Sequence, residues 1–171
     1  RGGGIGHGKT CNNAHVYNPA TNTGSSSAPR PAGRHHAAAG TDGQKLYVFG
    51  GRTGGNIPSI GFADVQIYDP GSNTWQTSAQ TGSTIPPLPQ ARGGMGKAPF
   101  YGNEFYVMGG ETTSSGTGQG SGNVYNRVDV YNPDSQTASM GTTMPTARQG
   151  TLPVAHNGHN LVAGSGRATG S

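Results

Sequence analysis

Charge is scarce in this chain: Asp, Glu, Lys and Arg together make 11% of its 171 residues. Apolar residues are also few, 30%, which is low for a packed core. Disordered chains share the second shortage but not the first, since they are usually rich in charge. Here the apolar residues are bunched into runs such as "KLYVFGG" and "EFYVMGG". Together with 32 glycines and 12 prolines, about a quarter of the chain, that bunching describes a folded β protein rich in turns.

Other absences narrow the function. A single cysteine, Cys11, excludes an intrachain disulfide. No apolar run approaches the roughly 20 residues of a membrane-spanning helix. The 11 basic residues outnumber the 7 acidic ones, but they stand singly, without the basic stripe of a nucleic-acid surface. No nucleic-acid partner is expected. There is no Asn-x-Ser/Thr acceptor, and Arg1 with no signal-peptide pattern reads as a processed chain or a fragment. Abundant Ser, Thr, Asn and Gly with few Lys and Glu give an extracellular or cell-surface protein as the expectation.

What is present is one phrase in three copies: "HVYNPATNTG" (15–24), "QIYDPGSNTW" (66–75) and "DVYNPDSQTA" (129–138). The copies align Tyr17, Tyr68 and Tyr131, each followed by Asn-Pro or Asp-Pro, and then Thr23, Thr74 and Thr137. Downstream of each comes "PRPAGR", "PLPQAR" or "MPTAR", which aligns Arg34, Arg92 and Arg148. An apolar run and a double glycine follow, Gly50-Gly51 and Gly109-Gly110, degraded to "GSG" at 164–166. Three landmarks recurring in one order mark a structural repeat.

Each landmark has a local cause. The apolar runs 46–49 and 105–108 are short and end in Gly-Gly, which suits buried strands rather than helices. Paired glycines permit a sharp turn at positive φ and close packing of neighbouring chain. Asx-Pro followed by small polar residues is hairpin-turn chemistry, with proline presetting φ and the side chains bonding their own backbone. The unit therefore reads as four strands, placed in the first full copy at about 34–41, 45–50, 63–68 and 74–78. The next copy runs from Arg92 to about residue 140. A half unit at 1–33, units at 34–91 and 92–147 and a half unit at 148–171 make up one domain.

The order of Arg, apolar strand, Gly-Gly, Tyr-Asx-Pro strand and Trp75 resembles the kelch repeat from the "GGG" at 2–4 to the "GSG" near the C-terminus. The resemblance implies an all-β fold, a kelch-type β-propeller segment of about three four-stranded blades, from a family whose rings normally have six or seven. Trp75 becomes Gly24 and Ala138 in the other copies, so those rims are expected to pack less tightly. Two blades are complete. The outer half-blade (12–26) and inner half-blade (148–164) each leave a sheet edge that must be covered. Pairing of one half with the other, in a ring of two chains, or further blades from a longer chain would do so.

A residue recurring in every repeat is first a structural one, and Arg34, Arg92 and Arg148 are assigned to fixing the blades. In kelch modules ligand contacts often come from the residue after that arginine and from residues after the Gly-Gly. Carried onto this chain, those positions are His35, Gly93 and Gln149, and Arg52 and Glu111, with His36 beside the first; Gly93 offers only backbone. The loops "RTGGNIPSIGFA" and "ETTSSGTGQGSGNVYN" after the double glycines are long enough to bind a partner. A protein or glycan ligand on that face, without catalysis, is the expected function.

Two enzymatic alternatives are weaker. Copper radical oxidases of the galactose oxidase type share kelch-like blades, but their site needs Tyr, Cys and two His around one metal. Adjacent His35 and His36 on a strand would point to opposite faces, and no metal or cofactor is expected. A kelch-type sugar epimerase would use Glu111 and His35 as its acid and base. "GGIGHGKT" matches the letters of a phosphate loop, but such a loop opens a helix, and here the chain runs on into a strand and turn.

Overall fold

The computed structural model describes residues 10–53, 60–112 and 123–162. Sixteen strands are found there and no helix. A ribbon of β1 (Ala14–Asn18) and β2 (Thr23–Ser27) comes first. The first four-stranded antiparallel sheet follows: β3 (Ala38–Thr41), β4 (Leu46–Phe49), β7 (Val65–Asp69) and β8 (Thr74–Thr77), side by side in that order. The second repeats it with β9 (Phe100–Tyr101), β10 (Glu104–Met108), β13 (Val128–Asn132) and β14 (Thr137–Met140). Two small ribbons rise from the double glycines: β5 (Arg52–Thr53) with β6 (Ile60–Gly61), and β11 (Glu111–Thr112) with β12 (Asn123–Val124). β15 (Val154–His156) and β16 (His159–Leu161) end the described chain. This is the all-β, partial propeller expected, with two whole blades between an outer pair and an inner pair of strands.

The repeated phrase is explained by its hydrogen bonds. The Asp69 carboxylate accepts from the backbone N–H of Gly71 at 2.8 Å and of Ser72 at 3.3 Å, and Asn132 does the same for Asp134 and Ser135 at 3.0 Å each. These are Asx turns, for which Asn and Asp are selected. Four residues after Asp69 comes Asn73 at φ 53°, a left-handed conformation that Asn tolerates well. Its Oδ1 accepts from the Tyr68 hydroxyl at 2.9 Å, and Asn22 takes the Tyr17 hydroxyl likewise at 2.7 Å. So tyrosine, Asx and Asn are three parts of one turn.

The core lies between the two complete blades. Tyr47 and Phe49 of β4 meet Phe105 of β10 with ring centres 4.5 and 5.3 Å apart, and Phe49 meets Tyr131 of β13 at 5.4 Å. Burial of the Tyr131 ring pushes its hydroxyl pKa up to about 12.

The double glycines join the blades. Gly50 donates to the Asp64 carbonyl of its own blade at 2.9 Å, and Gly51 to the Arg92 carbonyl of the next, also at 2.9 Å. Gly109 and Gly110 repeat this with Arg127 at 2.7 Å and Arg148 at 2.8 Å. All four have positive φ, and a Cβ on Gly109 would sit 2.4 Å from the Arg148 carbonyl. The degraded third copy at 164–166 lies outside the described residues.

At the rim, Trp75 lies against Tyr68 with centroids 5.0 Å apart and donates from Nε1 to the Ala28 carbonyl at 2.8 Å. The Asn73 side chain takes the N–H of the same Ala28 at 2.8 Å, so the first ribbon is tied to the first sheet at one residue. Trp75→Phe keeps most of the ring packing and loses that bond. It is expected to lower unfolding stability by about 1 kcal/mol, read from urea midpoints. No change would place the stabilisation in ring packing alone.

Candidate functional site

The repeat arginines come first, because they carry the site. Arg92 is fully buried: Nε donates to the Gly109 carbonyl at 2.7 Å, an Nη to Val107 at 2.9 Å, and the other Nη to Gln90 at 3.1 Å and to the Asp129 carboxylate at 2.5 Å. Arg127 holds the second oxygen of Asp129 at 2.5 Å. Arg34 does the same task differently. Its guanidinium stands 3.5 Å over the Phe62 ring and 3.3 Å from Asp64, whose other oxygen accepts from Gln66 at 3.0 Å. Asp64-x-Gln66 in one blade thus corresponds to Arg127-x-Asp129 in the next, with the carboxylate moved two residues along the strand.

Each arginine delivers the following residue to one end of its blade. His35 and Arg52 exchange both backbone hydrogen bonds, each 2.9 Å, and Gly93 and Glu111 exchange theirs at 3.0 and 2.7 Å. The residue after the arginine is therefore paired with the residue after the double glycine. From Arg52 the side chain crosses over Gly93, where a Cβ would lie 3.0 Å from its Cγ, and forms a salt bridge with Glu111 of the next blade. Glu111 in turn lies over Gly94, where a Cβ would meet its Cγ at 2.9 Å. Gly93, which offers no side chain of its own, is the gap through which this inter-blade pair forms.

One expectation is corrected. His35 and His36 do not alternate along a strand, since β3 starts only at Ala38 and His36 has φ 56°. The left-handed residue swings the two rings together, with Nδ1 atoms 2.7 Å apart and centroids at 4.8 Å, so one nitrogen of the pair carries the shared proton. Burial above all, then the Arg52 and His35 charges, lowers the pKa of His36, with Glu111 opposing. Strand alternation therefore does not keep these histidines apart, although no group of three or more His, Cys, Asp or Glu able to hold a metal exists among the described residues.

His35, His36, Arg52 and Glu111 are thus one cluster. Gln149 stands apart from it, half-buried on the third inner segment, where Gly150 donates to the Gly94 carbonyl at 2.6 Å. The middles of the two long loops, 54–59 and 113–122, lie outside the described residues.

Beside the histidines opens a cavity of about 640 Å³ between β1 and the first sheet, lined by His15, Arg30 and Arg34 among others. Arg30 was not singled out from the sequence. Its N–H bonds the Asn12 carbonyl at 2.8 Å just as Leu88 bonds Ala63 at 2.8 Å and Met144 bonds Asn126 at 2.7 Å. It therefore stands where the other copies place an apolar residue, a difference visible in "RPAGR" against "LPQAR" and "MPTAR". Burial and then the Arg34 charge lower its pKa.

A family described as the KLHDC2/KLHL20/DRC7 Kelch-repeats domain matches residues 1–170. The chain belongs to the kelch-repeat family. It is 30% identical over 155 residues to "Kelch-like protein terF" of Aspergillus terreus, covering 91% of this chain and 31% of that protein. The solved structure titled "Structure of YjhT" superposes with a TM-score of 0.59 at 20% identity, over 78% of this chain and 46% of the other, and shows the fold. This kelch chain spans about a third of its curated relative's length and less than half of that structure's.

Proposed function

We propose that this kelch segment is a non-enzymatic recognition module that binds a protein partner on the face carrying His35, His36, Arg52 and Glu111, in an extracellular or cell-surface setting. The family supports protein interaction. The observation that carries the choice of face is the two-way backbone pairing of His35 with Arg52 and of Gly93 with Glu111, which fixes four candidate positions on adjoining blades. Rigidly held backbone beneath an exposed His36 and a partly covered Arg52–Glu111 pair is the arrangement that supports a recognition surface. Gln149 extends the same face onto the third inner segment. A glycan is the second ligand class for these polar groups, and the open sheet edges would be covered by a second copy or by further blades.

The test is selection of binders from a displayed peptide library and from a glycan array, followed by rescreening. The double variant His35→Ala, Arg52→Ala is expected to weaken selected peptides at least about tenfold, while Gln44→Ala, at the opposite ends of the strands, leaves them unchanged. Equal loss with Gln44→Ala, or none with the double variant in a folded chain, would move the site. Selection of glycans alone would replace the protein partner with a sugar.

A further inference from the structure

The first complete blade carries chain that the other copies lack. Thr77, Met140 and Ser26 hold one place in the three copies, each opposite the residue two before the repeat tyrosine. Met144 follows Met140 by 4 residues and Arg30 follows Ser26 by 4, whereas Leu88 follows Thr77 by 11, so seven residues are inserted in this blade alone. The segment 76–90 that contains them has no charged residue. It is held firmly: the Gln80 N–H bonds the Thr77 carbonyl at 3.2 Å, the Ser83 N–H bonds the Gln80 carbonyl at 3.0 Å, and the Ser83 hydroxyl accepts from the Ile85 N–H at 3.2 Å. Ile85 and Leu88 are buried in the hydrophobic core and anchor its far end.

Against this insertion stands a turn of the next blade with its own departure from the repeat. Asn22, Asn73 and Gln136 occupy the same turn position, at φ 53°, 53° and 51°. Asparagine suits that left-handed conformation, and glutamine is a poorer occupant. Each asparagine also takes the hydroxyl of its repeat tyrosine, at 2.7 and 2.9 Å, whereas among the described residues Gln136 takes nothing from Tyr131. The turn thus gains no local bond from Gln136, and an off-pattern residue kept at positive φ points to a use for its side chain. That side chain reaches the insertion. With Gln76, Gln80, Thr81, Ser83 and Thr84 it lines a pocket of about 320 Å³. The three glutamines are exposed, and no charged side chain lines the pocket.

We propose that this rim pocket is a subsite for a neutral sugar unit, free or within a glycan, held by the side-chain amides of Gln76, Gln80 and Gln136. A primary amide offers a donor and an acceptor in one group, as a sugar hydroxyl does, so the two pair in both senses. With no charged residue in its lining, the pocket has no counter-charge for a phosphate, a carboxylate or an amine, whose desolvation would go uncompensated. It has no aromatic wall either, and so lacks the kind of pocket that seats the anchor side chain of a peptide. Its volume lies at the lower end of the roughly 300–1,000 Å³ of small-molecule sites, which suits one small polar unit. Without a ring to stack on the sugar, binding is expected in the millimolar range. The pocket uses no residue of the ligand face proposed above, and the inference does not rest on that reading.

The experiment adds glucose, galactose and N-acetylglucosamine to the 171-residue chain, each free and as its methyl glycoside, with glucuronate as the charged control. Binding is read by NMR saturation transfer and by backbone amide shifts. A neutral sugar is expected to receive saturation and to shift amides within 76–85 and 134–137, with glucuronate at least about tenfold weaker. Preference for the glycosides would assign the subsite to a glycan, and preference for the free sugars to a monosaccharide. Gln80→Ala is expected to weaken the sugar at least about fivefold. Gln136→Asn is the discriminating variant: it should weaken the sugar similarly while raising the urea midpoint, because the turn regains the residue its other copies use. The double variant His35→Ala, Arg52→Ala should leave sugar binding unchanged. No saturation transfer to any of the sugars, shifts confined to the neighbourhood of His35 and Arg52, glucuronate bound as tightly as the neutral sugars, or full binding in both glutamine variants would each overturn the proposal.

Discussion

Arg92→Met is expected to destabilise the chain by about 3–5 kcal/mol, the usual result of removing one partner from a buried ion pair. Its guanidinium has no contact with solvent, and four acceptors converge on it: the Gly109, Val107 and Gln90 carbonyls and the Asp129 carboxylate. Methionine fills much of the volume but satisfies none of them. Asp129 would keep Arg127, which limits the loss. Arg34→Met is the informative comparison. Arg34 has one carboxylate at 3.3 Å, a single carbonyl acceptor, Gly33, at 2.9 Å and one aromatic face, and Gln66 still bonds Asp64 when it is gone. A loss of about 1–2 kcal/mol is expected there. Urea unfolding of both variants checks the order, and equal losses would mean that the carbonyl acceptors around Arg92 contribute nothing.

The fold was legible because every landmark of the repeat is local chemistry. Asp69 and Asn132 cap their own turns, Asn73 and Asn22 hold the tyrosine five residues before them, and the double glycines supply a positive φ that other residues resist. Such features need no knowledge of what lies across the sheet. Strand placement followed, except that the inner strand begins at Ala38 rather than near residue 34, and the stretches read as loops after the double glycines carry the short ribbons β5–β6 and β11–β12. A histidine with positive φ leaves no mark in composition or spacing, so nothing in "RHHAAAG" shows that His36 turns back on His35.

The site was legible as positions and hidden as contacts. That His35 and Arg52 share a face follows from the repeat, and so does the likeness of Gly93 and Glu111 to them. That Arg52 reaches Glu111, 59 residues away, depends on how two blades are set side by side and on the bare backbone of Gly93 between them. Arg30 is different, because its signal was present. It stands four residues before the repeat arginine, where the other copies have Leu88 and Met144, and a register argument on that one column would have found it.

The seam along β3 between the two blades supplies the last expectation. β3 runs parallel to the segment before β9, with Ala98 donating to the Ala39 carbonyl at 2.9 Å and Ala39 bridged to Lys97. Gly40 sits in this seam, where a Cβ would fall 2.1 Å from the Ala98 carbonyl oxygen and 3.0 Å from the Phe105 ring. Its φ is not positive, so the demand for glycine here is space alone. Gly40→Ala must push the seam apart by about an ångström, weakening the Ala98 bond and displacing Phe105 from the aromatic core, since packed interiors yield little. A loss of at least about 3 kcal/mol is expected. Gly24→Ala makes the same chemical change in an exposed strand where the nearest atom is 4.0 Å away, and it is expected to be neutral or mildly stabilising through reduced freedom of the unfolded chain. Thermal unfolding of the two variants separates the effects: a Gly40→Ala chain as stable as the parent would show that the blades part without cost, and that the seam is not what holds them together.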